Sequence, residues 1–496
     1  MQASSSTTTI YASDIALGFR KFVQPWMGWA VAALAVVSVN QMNAGNEDVS
    51  ATRALLVAGF SGPILLSFSM WCRRAGPCLP ILPFVLLTYW MAYGFPILVQ
   101  SPAELPDIQL ELISPSLFIW PMALLLGWFI VPSQWIRTEP QPTMLGIGEK
   151  SIFLPHILVG SSFALILLIG SPLYWDGLGS SIGASFYNVF NTIANLMIMP
   201  GTFIGAYRWS RGRLKQPSIF WVIVALMFTN YLLSFLLSAA QNLVLGALLG
   251  LWIGRSKQAL TLTLTMVLIL AFLHPGKFAM RDKYGTDGFD KNNKPSPPEL
   301  LVEWIGYSYD KLFTTKKEDD QNLQQRISNI GILTFAVQQI ELGTQPLNGA
   351  TYALIPQVIV PRIFNETKVR SQEGQVLLNL QFGRQASREA TETTYITWGP
   401  LAESIGNFGP WVGPLVVGVA MGALIRISEL LGAGQELLSK PGLQSLVMMV
   451  LWIGSFEQVA STFFAAAFQT LILIEVVTRL LLTYQKKPIN ARTRLR

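Results

Sequence analysis

Apolar residues fill most of this chain in blocks of roughly 18 to 25. That is the length a helix needs to cross a bilayer core of about 30 Å at about 1.5 Å per residue. About twelve blocks read as spanning helices, at 24–41, 54–71, 79–99, 116–136, 153–174, 184–207, 218–236, 240–254, 259–274, 409–427, 442–457 and 460–483. The pattern predicts an all-α polytopic membrane protein, because a β-barrel would show short alternating segments instead. One interval breaks the pattern: from Gly276 to Pro400 the chain is polar and charged. The expected organisation is an N-terminal bundle over 1–275, a large extracytoplasmic loop region over 276–408, and C-terminal helices with a basic tail over 409–496.

The polar interval has its own pattern. Its first part, 276–297, is rich in Gly, Asp, Asn, Lys and Pro and reads as an irregular loop. Residues 298–313 read as a helix, with Pro in the first turn and Glu299 near the positive end of the dipole. A second helix is expected over 321–342, with apolar residues near a 3.6 period, Arg326 and Asn329 one turn apart, and Gly343 as its stop. Pro356 and Pro361 break the following stretch into short pieces. Residues 372–397 are polar and read as an irregular loop.

Composition agrees with a membrane protein. The 496 residues are 51% hydrophobic and 13% charged, with a mean hydropathy of +0.43; soluble domains are nearer about a quarter charged. The net charge of +7 reflects a concentration of Lys and Arg in alternate short loops. The positive-inside rule then places both termini in the cytoplasm and the 276–400 block outside. No cleavable signal peptide is expected, since the first 20 residues are Ser/Thr-rich without a compact apolar core. The positive charge therefore does not point to nucleic acid.

Candidate chemistry is confined to few residue types. Cys72 and Cys78 are the two cysteines, flanking a basic turn, and His156 and His274 are the two histidines. These support neither a histidine metal centre nor a Ser-His-Asp triad, and no metal or cofactor is expected. LGIGEK at 145–150 lacks P-loop spacing. What remains is a basic set, Arg326, Arg362, Lys368, Arg370, Arg384 and Arg388, in the outer block. Guanidinium forks match the oxygens of a pyrophosphate, hold it and stabilise it as a leaving group. The competing reading is that these charges solvate an exposed domain or pair with the nearby glutamates. Glu403, in PLAESIGNFG ahead of a spanning helix, and Glu392 could act as a general base. Glu403 could equally be a helix N-terminal charge favoured by the dipole. Glu457, between two apolar runs, could line the site. The cluster Asn46-Glu47-Asp48 weakly evokes the acidic first loop of lipid-sugar glycosyltransferases.

Several local motifs stand in a fixed order. Arg326-Ile-Ser-Asn329 is followed by Asn348-Gly349-Ala-Thr351-Tyr352. Then come Ile359-Val-Pro361-Arg362-Ile-Phe364 with Lys368, and Glu403-Ser-Ile-Gly-Asn407-Phe408-Gly409. In this order 326–411 resembles the bacterial repeat-unit polysaccharide polymerases, the Wzy class that includes O-antigen and enterobacterial common antigen polymerases. It departs at Lys368, which precedes Val369 where such proteins often have Lys-Pro. The resemblance implies a GT-C-like fold, metal-independent glycosyl transfer and undecaprenyl-pyrophosphate-linked oligosaccharide substrates. It implies a bacterial cytoplasmic (inner) membrane as the location, with the large loop periplasmic. It also implies an optional chain-length-regulating co-polymerase as partner, beside membrane lipid. The expected site then adds Asn329, Tyr352 and Asn407 as lining residues. Two alternatives stay open: an O-antigen ligase-type glycosyltransferase, and a polysaccharide or lipid transporter (flippase).

Overall fold

A computed structural model of the chain describes residues 51–73, 78–99, 105–133, 153–169, 184–233, 237–254, 256, 258–284, 295–314, 328–360, 368–393, 396–435 and 439–481. Among these every regular element is helical. Helices stand in all the expected spanning ranges except 24–41, which lies outside the described residues. Three are long and apolar enough to cross a membrane: Ile81–Leu98, Asp107–Ile130 and Gly399–Leu431. The chain forms two compact units, one within 145–320 and one made of 8–144 with 321–496.

In the 145–320 unit, the Ala184–Ser210 helix packs on Leu237–Ile253 through glycines spaced four apart. A Cβ at Gly246 would lie 2.4 Å from Thr202 Oγ1, and one at Gly250 would lie 2.4 Å from the Phe203 carbonyl oxygen. Small residues let apolar helices approach backbone to backbone, where dispersion rather than water drives association. Val159, Ala194, Phe220 and Met227 fill the core beside them, all fully buried.

The other unit is built around the Asp107–Ile130 and Gly399–Leu431 helices. A Cβ at Gly127 would meet the Val419 carbonyl oxygen at 1.9 Å, and one at Gly422 would meet that of Leu124 at 2.0 Å. The second helix is in fact two. Gly409 sits at φ 81°, ψ 172°, a region open essentially to glycine alone. Pro410 then starts a new helix, where its missing N–H costs nothing. The 22 residues from 410 to 431 span about 33 Å, enough to cross.

Five expectations about local structure are corrected. The helix expected over 116–136 begins at Asp107 instead. Its acidic start, which looks like loop, is matched by buried Arg53, whose Nε donates to Asp107 at 2.8 Å. Glu403 does not precede a helix starting at 409; it lies inside one starting at Gly399. Among the described residues the helix expected over 321–342 starts at Ile330, with Asn329 as its N-cap rather than inside it; Arg326 lies outside them. The 276–297 loop contains the Gly276–Tyr284 helix, whose Met280 is fully buried. The 372–397 loop contains the Glu373–Gln381 and Arg388–Thr393 helices. Val376, Leu378 and Phe382 are buried there. Asn379 donates to Gln385 at 2.8 Å and accepts from the Trp398 indole at 2.7 Å. Its polar residues thus bond one another, and polarity alone reads as loop. Two expectations hold. A helix stands at Pro297–Tyr309 with Pro in its first turn and Glu299 near its positive end, and Ser296, to which no role was assigned, completes a capping box with Glu299. Gly343, at φ 97°, ends Ile330–Glu341 with the bonds Gly343 N to Ile340 O and Thr344 N to Gln339 O.

Candidate functional site

The break at Gly409 leaves the last carbonyls of the preceding helix without helical partners. A turn takes them up: Leu347 N donates to Gly406 O and Asn348 N to Asn407 O, each at 2.9 Å. Asn348 at φ 50° and Gly349 at φ 85° turn the chain there in the left-handed region, which Asn and Gly tolerate best. The turn delivers Thr351 to Glu403. The Thr351 hydroxyl donates to Glu403 Oε1 at 2.7 Å. Asn407 Nδ2 donates to that hydroxyl and to the Glu403 carbonyl oxygen, both at 2.8 Å. Glu403 Oε2 accepts the Ala460 N–H at 2.6 Å, an otherwise unpaired donor at the positive end of the Ala460–Leu481 helix.

Thr351, Glu403 and Asn407 are fully buried. Both Glu403 oxygens are occupied, and among the described residues its partners are all neutral. A reacting hydroxyl reaches this carboxylate by displacing that of Thr351. Tyr352 stacks on Phe408 at 5.8 Å and 1°. Its own hydroxyl is buried without a hydrogen-bond partner among the described residues. Burial, then Glu403 and Tyr89, push the Tyr352 phenol well above its ordinary range. Asn329 makes its bonds elsewhere: its N–H donates to Ala92 O at 3.0 Å and its side chain to Phe456 O at 3.3 Å.

A second group opens beside this knot. Ser461 and Thr462 donate to Ser371 O at 2.7 and 3.0 Å, and Gly374 packs on Ser461 and Thr351. These contacts hold the start of the Glu373–Gln381 helix against the knot. A cleft of about 400 Å³ lies there, lined by Lys368, Arg370, Glu373 and Arg388 with apolar walls from Leu354, Val369 and Leu377. One Arg388 nitrogen sits 2.6 Å from both Glu373 oxygens. Among the described residues its lining holds three cations and one carboxylate, a set that matches a compact anion.

The structure therefore gathers Tyr352, Glu403 and Asn407 into one group, and Lys368, Arg370 and Arg388 into another, while Asn329 bonds to Ala92 and Phe456 instead. It places Arg384 elsewhere, over the Phe335 ring at 5.6 Å. Glu457 is exposed in a short helical turn, Gly454–Glu457. Arg326 and Arg362 lie outside the described residues, as do the side chain of Glu392 and the cluster Asn46-Glu47-Asp48. Sequence reasoning quoted Thr351 in a motif and assigned it no role. It missed Glu373, which it treated only as a neighbouring charge. It missed a further buried node altogether. Glu429 accepts from Leu82 N at 3.0 Å, Trp128 Nε1 at 2.7 Å and Arg426 at 3.1 Å. The Arg and Glu of RISELL stand three residues apart in an otherwise apolar run, and that charged pair was the available signal.

No protein-family model, curated protein or solved structure matches the chain.

Proposed function

We propose that this chain is a membrane glycosyltransferase that polymerises undecaprenyl-pyrophosphate-linked oligosaccharide units. In this reading it sits in a bacterial inner membrane, with about twelve spans and a GT-C-like architecture. The observation that carries the reading is the basic cleft of Lys368, Arg370 and Arg388 beside the buried Glu403 group. Its volume falls within the range of about 300–1,000 Å³ usual for small-ligand sites.

The diphosphate of one lipid-linked chain occupies the cleft and takes over the Arg388 donors from Glu373. A hydroxyl of a second lipid-linked unit attacks the donor's anomeric carbon. The new C–O bond forms as the bond from that carbon to the phosphate oxygen breaks. The cations stabilise the departing lipid diphosphate. A carboxylate, Glu403 or Glu392, takes the hydroxyl proton. Glu403 enters this step once substrate has displaced Thr351.

The test is the purified protein in proteoliposomes with lipid-linked repeat units. A ladder of products, lost in the Lys368→Ala, Arg370→Ala double variant, is the expected outcome. Movement of the lipid without new glycosidic bonds makes the chain a transporter instead. Transfer only to a lipid other than a second repeat unit makes it a ligase.

A further inference from the structure

The Pro297–Tyr309 helix and the following π-helical turn Asp310–Thr314 carry two apolar faces. One is docked. Leu300 and Trp304 are fully buried with Leu232, Leu233, Leu273 and Met280, and the Trp304 indole donates to Leu273 O at 2.8 Å. Lys283 and Tyr284 also donate to Glu303, which ties the helix to Gly276–Tyr284. The other face is open. Val302 is 69% exposed, Ile305 48%, Tyr309 55%, Leu312 44% and Phe313 70%. At 3.6 residues per turn Val302, Ile305 and Tyr309 fall within an arc of about 60° on the side opposite Leu300 and Trp304, and Leu312 and Phe313 follow in the π-helical turn.

Placement argues for what covers this face. The docked side rests on the C-terminal ends of two apolar helices, Pro217–Leu233 and Ala259–Leu273. The second of these also exposes Leu264, Val267 and Leu268, by 55%, 56% and 68%. A helix across the end of apolar helices sits where a bilayer meets water. The paired rings of Tyr309 and Phe313, 4.9 Å apart, suit that depth.

We propose that 297–314 is an interfacial helix whose open apolar face lies in the phospholipid headgroup–acyl boundary. The inference rests on the chain occupying a membrane and is independent of the polymerase reading.

The test uses the full chain in phosphatidylglycerol–phosphatidylethanolamine vesicles, with Cys72→Ser and Cys78→Ala as background. Nitroxides are placed at Val302→Cys, Ile305→Cys and Phe313→Cys, with Leu126→Cys on a spanning helix and exposed Glu341→Cys as references. Val302, Ile305 and Phe313 are exposed, so these changes leave the core intact. The expected result is an oxygen-to-nickel collision ratio several-fold above that at 341 and close to that at 126. A ratio like that at 341 places the face in water and overturns the proposal. Labels immobilised and shielded from both reagents show a second copy or a protein partner there, which also overturns it.

Discussion

The Gly399–Leu431 helix carries a buried carboxylate near each end, and the two are satisfied in opposite ways. Glu429 is held by the guanidinium of Arg426, the Trp128 indole and a backbone N–H. Arg426 itself lies 4.3 Å from the Trp128 ring centre. Glu403 is held by a hydroxyl and a backbone N–H. A buried charge locked to a partly buried counter-charge is fixed, since removing the cation strands the carboxylate. A carboxylate held only by neutral donors can exchange a proton with far less disruption. The same residue type on either side of the Gly409 break thus reads as architecture at Glu429 and as candidate chemistry at Glu403.

The comparison can be broken at four places. Arg426→Ala leaves Glu429 buried without its cation and should cost about 3–5 kcal/mol, read as a lower unfolding midpoint in detergent. A loss under about 1 kcal/mol there would remove the architectural assignment. Thr351→Val deletes the hydroxyl between Glu403 and Asn407 and should cost about 1–3 kcal/mol, by the same measurement. Glu403→Gln keeps the shape and an acceptor for Ala460, so its stability cost should stay below about 2 kcal/mol. Polymer formation should nevertheless fall by about 10²–10⁴-fold if this carboxylate takes the proton. Unchanged product lengths would put Glu403 in the same class as Glu429. Arg388→Gln is the mildest: its pair with Glu373 has a 51% exposed arginine side chain, so the stability change should stay within about 1 kcal/mol. Its effect should appear as weaker retention of a lipid diphosphate on the protein.

Local signals carried far in some segments. Pro in the first turn with Glu299, and Gly343 after a periodic stretch, marked a helix start and a helix stop because such signals depend on residues within one turn. They failed where a distant partner decided the outcome. Asp107 looked like loop until Arg53, 54 positions away in sequence, matched its charge. The 372–397 segment looked irregular because the bonds among Asn379, Gln385 and Trp398 join its polar residues to one another. The Glu403-Asn407-Phe408 motif was visible, but its pairing with Thr351 needs a turn that docks from 52 positions away.

Length and apolar continuity determined by themselves that this chain is helical and membrane-associated, because a segment in lipid must satisfy its own backbone hydrogen bonds. Tertiary structure decided which charges work together. Charge energetics depend on burial and on partners within a few ångströms, and folding sets both across sequence separations that no local pattern encodes. That is why Lys368, Arg370 and Arg388 share a cleft, Arg384 stacks on Phe335 outside it, and Glu403 lies fully buried.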